Sequence, residues 1–132
     1  MSIIKTHDIT LYGSVGDYNI ILHPLCDNHL PLLYKWGADP EVVYWSDGGN
    51  VEVFDAEDVK NIISHISHNG LCFLAEVNAN PIGNFWIQNI NIPEVSALYP
   101  GLDVRRIDME IGLSLIRYLS YQFRRFIPAN CT

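Results

Sequence analysis

The segment from Asp55 to Gly70 constrains the fold more than any other part of the chain. Its apolar residues recur three and four positions apart, which is the period of one face of an α-helix. These residues are Val59, Ile62, Ile63 and Ile66. Asp55 followed three residues later by Asp58 has the pattern of a capping box, and Gly70 predicts the end of the helix. The segment is therefore predicted to be a capped amphipathic helix.

The residues after this helix have the pattern of a β-hairpin. Residues 71–77 form a short apolar run typical of a buried strand, and residues 82–90 form a second one. The intervening Asn78-Ala-Asn-Pro81 is rich in turn-forming residues, so the two strands are predicted to be antiparallel. Residues 91–104 are predicted to be a loop.

A strictly alternating segment follows that loop. Residues 106–111 place Ile107, Met109 and Ile111 on one face of a strand and Arg106, Asp108 and Glu110 on the other. Two carboxylates thus share one polar face of the predicted strand.

The first third of the chain is predicted to contain a hairpin and two short helices. Short apolar runs in residues 3–25 are interrupted by Gly13-Ser-Val-Gly16, which indicates two strands joined by a turn. Asp27 is a predicted cap of a helix that ends at Gly37. Asp39-Pro40 predicts the start of the second helix. The whole pattern predicts a single α/β (α+β) domain.

Residues 113–132 have a sequence pattern that differs from that of the rest of the chain. Residues 114–127 place Leu115, Ile116, Leu119, Phe123 and Phe126 at helical spacing, which predicts an atypical amphipathic C-terminal helix of the same domain. Its arginines beside phenylalanine are also a weak pattern for a membrane-surface helix. We expect no membrane partner.

Charge is unevenly distributed along the chain. All 15 acidic residues but only five of the eight basic residues lie within residues 1–112, giving that region a net charge of −10 and the last 20 residues +3. A nucleic acid surface needs clustered Lys and Arg, so no nucleic acid partner is expected. An acidic region favours cationic ligands, although acidity also serves the solubility of many cytosolic proteins.

Hydropathy and cysteine usage predict a cytoplasmic protein. No run approaches the roughly 18 apolar residues of a membrane span, and the first eight residues lack the layout of a signal peptide. Cys26, Cys72 and Cys131 are odd in number and far apart, as free thiols in a reducing compartment would be. His65 and His68 have no carboxylate or cysteine at ligand spacing, so no metal site is expected.

Five sequence motifs occur in an order that carries a family resemblance. They are Leu22-His-Pro-Leu25, Leu32-Leu-Tyr-Lys-Trp36, Asp39-Pro-Glu-Val-Val-Tyr-Trp45, Pro81-Ile-Gly83 and Arg106-Ile-Asp-Met-Glu-Ile-Gly112. Over residues 18–112 the chain resembles the GNAT N-acetyltransferases, particularly the branch that contains ribosomal-protein and aminoglycoside 6'-N-acetyltransferases. The resemblance implies a mixed, mostly antiparallel sheet flanked by helices.

The resemblance also implies a function, the transfer of acetyl from acetyl-coenzyme A to the primary amine of a cationic small molecule or a protein N-terminus. An ammonium must lose a proton before it attacks a thioester, so the site needs a base. Asp108 lies where the aminoglycoside enzymes carry their aspartate, and Glu110 on the same face is the second candidate. Ordinary ion pairs with Arg105 or Arg106 are the alternative reading of both carboxylates.

The acceptor and cofactor sites are likewise implied by the resemblance. Tyr44, Trp45 and Trp86 are candidates for the walls of an acceptor pocket, and Asp47 is a candidate for contacting its ammonium, although aromatic residues also pack in cores and loop acids are usually solvated. Backbone groups of Met109, Ile111 and Gly112 would bind the thioester end of the cofactor.

The sequence departs from the family after Gly112. The glycine-containing loop that holds the coenzyme A pyrophosphate in the family is absent, because no glycine follows Gly112. This predicts a truncated or altered relative that lacks the usual C-terminal strands, with an exposed strand edge or C-terminal helix that favours a homodimer. The alternative function is a catalytically inactive relative that binds a ligand or self-associates.

Overall fold

The computed structural model of the protein describes residues 2–112. The predicted helix over residues 114–127 and Cys131 lie outside the described residues. The strands are β1 (Leu11–Val15), β2 (Tyr18–Pro24), β3 (Gly70–Val77), β4 (Asn80–Asn89) and β5 (Arg105–Ile111). The α-helices are α1 (Leu30–Gly37), α2 (Pro40–Asp47), α3 (Ala56–Asn69) and α4 (Pro93–Leu98), and a 3-10 turn over Asp27–His29 precedes α1. The predicted α+β class is confirmed.

The five strands form one sheet in the order β1-β2-β3-β4-β5, and every neighbouring pair is antiparallel. The predicted turn between β3 and β4 is present, with Asn78 and Ala79 at φ values of 49° and 67°. Positive φ at two successive residues suits a tight hairpin between right-twisted strands. Three helices, α1 to α3, connect β2 to β3, so they can cover one face of the sheet.

Helix α3 begins as its sequence predicts. The Asp55 carboxylate accepts the Asp58 backbone N–H at 2.8 Å, and the Asp58 carboxylate accepts that of Asp55 at 3.4 Å. Gly70 ends the helix in an extended conformation, as the first residue of β3. A Cβ on Gly70 would overlap the backbone carbonyl of Ile87 on β4, so this glycine lets the two strands approach.

Two local predictions are wrong. Asp27 does not cap α1, because its carboxylate accepts the backbone N–H groups of Ile3 and Ile4 at 3.1 and 2.8 Å and so fastens the N-terminal segment. The predicted loop over residues 91–104 contains α4. Pro93 at its first position and Glu94 in its first turn are ordinary helix-start residues, but six residues are too few for a helical period to be recognised.

The apolar core lies between the helices and the face of the sheet that we call the inner face. It contains Ile4, Leu25, Leu30, Leu33, Trp36, Val42, Ile63, Cys72 and Leu74. Strand register places Asn84 and Trp86 of β4 and Asp108 and Glu110 of β5 on the same face as Cys72 and Leu74. The two acids of β5 therefore point toward the helices.

The opposite, outer face of β5 carries apolar side chains that are open to solvent. Ile107 is 65% exposed and Met109 is 54% exposed. The alternation predicted for this strand is correct, but the polar side is the one that faces the helical layer. Within residues 2–112, no helix is long and apolar enough to cross a bilayer.

Candidate functional site

A cavity that is partly open to solvent lies between α3 and the inner face of β4 and β5. Its described walls are Leu33, Gly37, Phe54, Val59, Ile62, Ile63, Ile66, Asn84, Trp86 and Glu110. Apart from the indole N–H of Trp86, only Asn84 and Glu110 among these walls have polar side-chain groups, and they are directly opposite each other on paired strands.

Glu110 is the titratable group of the cavity. Burial, and to a smaller extent the nearby Asp47 carboxylate, raise the pKa of its carboxyl to about 7, and the hydrogen bond from the Asn84 amide partly opposes them. The Asn84 side-chain N–H donates to Glu110 Oε1 at 3.4 Å. A carboxyl with this pKa exchanges a proton near neutral pH, which a general base in a protein must do.

Asn84 is a buried polar residue with an unused acceptor. It is 4% exposed, and its Oδ1 has no hydrogen-bond partner among the described residues. A buried acceptor without a donor costs about 1–3 kcal/mol, so proteins seldom retain one without a reason.

Asp47 ends α2 beside this site, where helix and strand are in contact. Partial burial raises the pKa of its carboxyl, and its charge raises the pKa of Glu110. Two neighbouring carboxylates that raise a pKa in this way create a negative potential at the cavity. A bound cation would relieve their repulsion.

Asp108 differs from Glu110, although both are on the inner face. Arg106 lies 2.8 Å from the Asp108 carboxylate, and Gln88 donates to it at 3.2 Å. Asp108 is not among the described cavity walls. Its charge is therefore already paired within the strand.

The aromatic candidates separate into two groups. Trp86 lines the cavity and packs against the core. Tyr44 and Trp45 are 54% and 68% exposed and contact each other edge to face at 5.0 Å. Tyr44 and Trp45 are not among the described walls, so the structure brings together Trp86 and Glu110, with Asp47 outside the walls but near enough to raise the pKa of Glu110.

The predicted cofactor residues lie at the end of β5. The Gly112 N–H donates to the Ile82 carbonyl at 2.5 Å, so the alternate residues Met109 and Ile111 direct their backbone polar groups away from β4, where the described sheet ends. Gly112 is buried, and a Cβ there would overlap the Trp36 ring. The side chain of Met109 points to the outer face.

Sequence reasoning missed Asn84 and the apolar wall formed by Phe54 and α3. A usable signal was present for Asn84. It lies on the same face of β4 as Trp86 and Gln88, and the neighbouring strand β3 is largely buried. The apolar residues of α3 gave only the general signal of a core-facing helix.

Cys26 and Cys72 are free thiols. No three His, Cys, Asp or Glu side chains within residues 2–112 are placed to hold a metal ion. Comparisons of the chain with protein-family models and with curated proteins found no match.

Proposed function

We propose that the protein is an acetyl-coenzyme A-dependent N-acetyltransferase whose cavity binds the primary amine that accepts the acetyl group. The observation that carries the proposal is the buried carboxyl of Glu110, with a pKa of about 7, beside the unsatisfied acceptor of Asn84. The motifs shared with GNAT enzymes point to the same reaction. The cytoplasm, where acetyl-coenzyme A is available, is the proposed location.

Glu110 is the proposed base. An ammonium can donate to the Glu110 carboxylate in a charge-assisted hydrogen bond, and Asp47 adds favourable charge. Transfer of one ammonium proton to Glu110 frees the lone pair of the nitrogen. We assign Asp108 a supporting role, because Arg106 already neutralises it.

The acetyl group then moves from sulfur to nitrogen. The nitrogen forms a bond to the acetyl carbonyl carbon, the bond from that carbon to the coenzyme A sulfur breaks, and the thiolate takes the second nitrogen proton through solvent. Glu110 returns its proton to solvent. Outward backbone N–H groups of Met109 and Ile111 are suited to polarise the thioester carbonyl.

The test is release of coenzyme A thiol from acetyl-coenzyme A in the presence of a panel of primary amines. Glu110→Gln should lower kcat by about 10²–10³-fold, as loss of a general base does. Asp108→Asn should lower it less than tenfold, and Asp103→Asn, an exposed residue paired with Arg105, should leave it unchanged. The wild-type rate should rise with pH through about 7, because the carboxylate is the active form.

A binding module without catalysis is the second candidate. It is favoured by the sequence from Leu113 to Thr132, which contains no glycine to bring the backbone close to a pyrophosphate. Calorimetric binding of amines with no thiol release, and no binding of acetyl-coenzyme A at millimolar concentration, would select it. Self-association through β5, the strand at which the described sheet ends, would belong to this function and is measured by sedimentation.

A further inference from the structure

Strand β1 is one edge of the described sheet. Within residues 2–112 it is paired with β2 on one side and with no strand on the other. All five of its residues are exposed, and none of them is charged. Natural edge strands usually carry lysine, proline or a bulge that prevents pairing with another chain. Strand β1 has no lysine or proline, and its register with β2 is continuous, so this edge is suited to pairing with a further strand.

The backbone hydrogen-bonding groups of Tyr12 and Ser14 face this edge. Asn19 of β2 uses its own backbone groups on the β3 side, because its carbonyl accepts the Asn78 N–H at 2.9 Å and its N–H donates to the Asn78 side chain at 2.9 Å. Ser14 lies opposite Asn19, so it directs its N–H and carbonyl away from β2. The direction alternates along a strand, so Tyr12 does the same, whereas Gly13 bonds to β2.

The side chains along this edge are apolar and open to solvent. Tyr12 is 78% exposed and Val15 is 65% exposed, and Leu11 and the adjacent Tyr18 of β2 are also exposed. Leu11, Val15 and Tyr18 lie on the outer face of the sheet. Single exposed apolar residues are common on protein surfaces, but a group of them along an uncharged edge strand is the arrangement that pairs with another chain.

The sequence of β1 is complementary to a second copy of itself. Two copies of one strand that pair antiparallel are related by a two-fold axis, so the assembly is closed at two chains. With the axis at Gly13, Tyr12 of one copy lies opposite Ser14 of the other, and their outward backbone groups can exchange hydrogen bonds. Leu11 then lies opposite Val15 of the other copy, and no charged side chain of β1 faces a like charge.

Strand β5, at the other end of the described sheet, is less suited to pairing with its own copy. It contains four charged residues, Arg105, Arg106, Asp108 and Glu110. With a two-fold axis at its central residue, the Asp108 carboxylate would lie opposite the same carboxylate of the second copy. Like charges directly opposite each other on paired strands are destabilising.

We propose that two copies of the protein associate through β1, in antiparallel register about Gly13, so that their two sheets become one continuous sheet. The association does not depend on the proposed acetyl transfer. It leaves the cavity accessible, because β4 and β5 lie at the other end of the sheet. A single short strand gives an interface below about 1,200 Å², so the dimer should dissociate on dilution.

The experiment is sedimentation equilibrium of the full chain between about 1 µM and about 1 mM, a range that covers weak association. The mass should rise from one chain to two and no further. Proline at Ser14 removes an N–H that faces the edge and that β2 does not use, so Ser14→Pro should fold, and its dimer dissociation constant should rise at least about tenfold. Tyr12→Lys should raise this constant by a similar factor. Ile107→Lys, the same charge change at an exposed residue of β5, should leave it unchanged.

Amide hydrogen exchange, followed by NMR, locates the contact within β1. Exchange of the Tyr12 and Ser14 N–H groups should slow as the protein concentration is raised, because pairing covers them. The Gly13 and Val15 N–H groups already bond to β2, so their exchange should change little with concentration.

Each alternative outcome contradicts the proposal. A mass of one chain at about 1 mM, or growth beyond two chains, would overturn the closed dimer. Undiminished dimerisation of folded Tyr12→Lys and Ser14→Pro would overturn pairing through β1. Loss of the dimer in Ile107→Lys alone would assign the contact to β5 instead.

Discussion

Successive residues of β5 have opposite environments on the two faces of the sheet. On the inner face, Glu110 is largely buried beside Asn84 and lines a cavity, although it is a carboxylate. On the outer face, Ile107 and Met109 are more than half exposed, although they are apolar. A strand with only a structural role would have the reverse arrangement, with the apolar residues inside. This arrangement of β5 is less stable than the reverse one would be. Burial of a titratable group is a common sign of a functional site.

The largest expected effect concerns Glu110 on the inner face, whose burial destabilises the folded protein when the carboxyl is ionised. The pKa of Glu110 is raised from 4.5 to about 7, so the folded protein favours the protonated form, and stability falls as pH rises from about 4.5 through 7. Glu110→Gln should remove this loss and be more stable than wild type by about 2–3 kcal/mol at pH 8, with little difference at pH 4. Urea unfolding at both pH values measures it. If Glu110→Gln were less stable than wild type at pH 8, the ionised Glu110 carboxylate would not be destabilising the folded protein.

The second prediction concerns Gly83, a position on the outer face of β4 that should not tolerate an added methyl group. A Cβ on Gly83 would overlap the Glu110 carbonyl and lie 3.1 Å from the Ile111 Cα, so Gly83→Ala should separate β4 from β5. Overpacking of this kind costs about 1–3 kcal/mol. Gly13→Ala is the matched control, because that strand glycine has nothing within 4 Å of the added Cβ. Equal midpoints of thermal unfolding for the two variants would show that β5 adjusts freely.

These predictions depend on how much of the molecule the sequence alone could specify. Capped α3, the β3–β4 turn and the alternation of β5 were predictable, because each is determined by residues close together in the chain. Which face of β5 is covered depends on the long connection between β2 and β3, which carries α3 across the sheet, so Glu110 was found as a candidate but its burial was not. Asn84 became part of the site only through pairing with a strand 26 residues away.

The third prediction separates the two acids of the inner face. Asp108 is paired with Arg106 at 2.8 Å, and the two side chains are 22% and 38% exposed. Asp108→Asn should therefore lower the free energy of unfolding by about 1 kcal/mol or less. The loss should shrink in 1 M salt, because part of it is electrostatic. If Asp108→Asn instead stabilised the protein, as Glu110→Gln is expected to do, the two acids would not differ in their effect on stability.

The smallest effect is expected on the outer face. Met109→Gln changes a side chain that is 54% exposed, so the free energy of unfolding should change by no more than about 0.5 kcal/mol. A loss above about 2 kcal/mol would mean that the outer face is covered in the folded protein. Repeating the measurement over a hundredfold range of protein concentration would then show whether a second copy is the cover.

The division of the cavity between a strand pair and a helix has a consequence for how the protein can diversify. The titratable Glu110 and its neighbour Asn84 belong to the β4–β5 strand pair, whereas the carbon wall is supplied mainly by α3. Substitutions along the cavity side of α3 are therefore expected to change the cavity wall without displacing Glu110, the proposed base. Relatives of this chain that differ along α3 while retaining Asn84 and Glu110 would be expected to share a chemistry and differ in the molecules they accept.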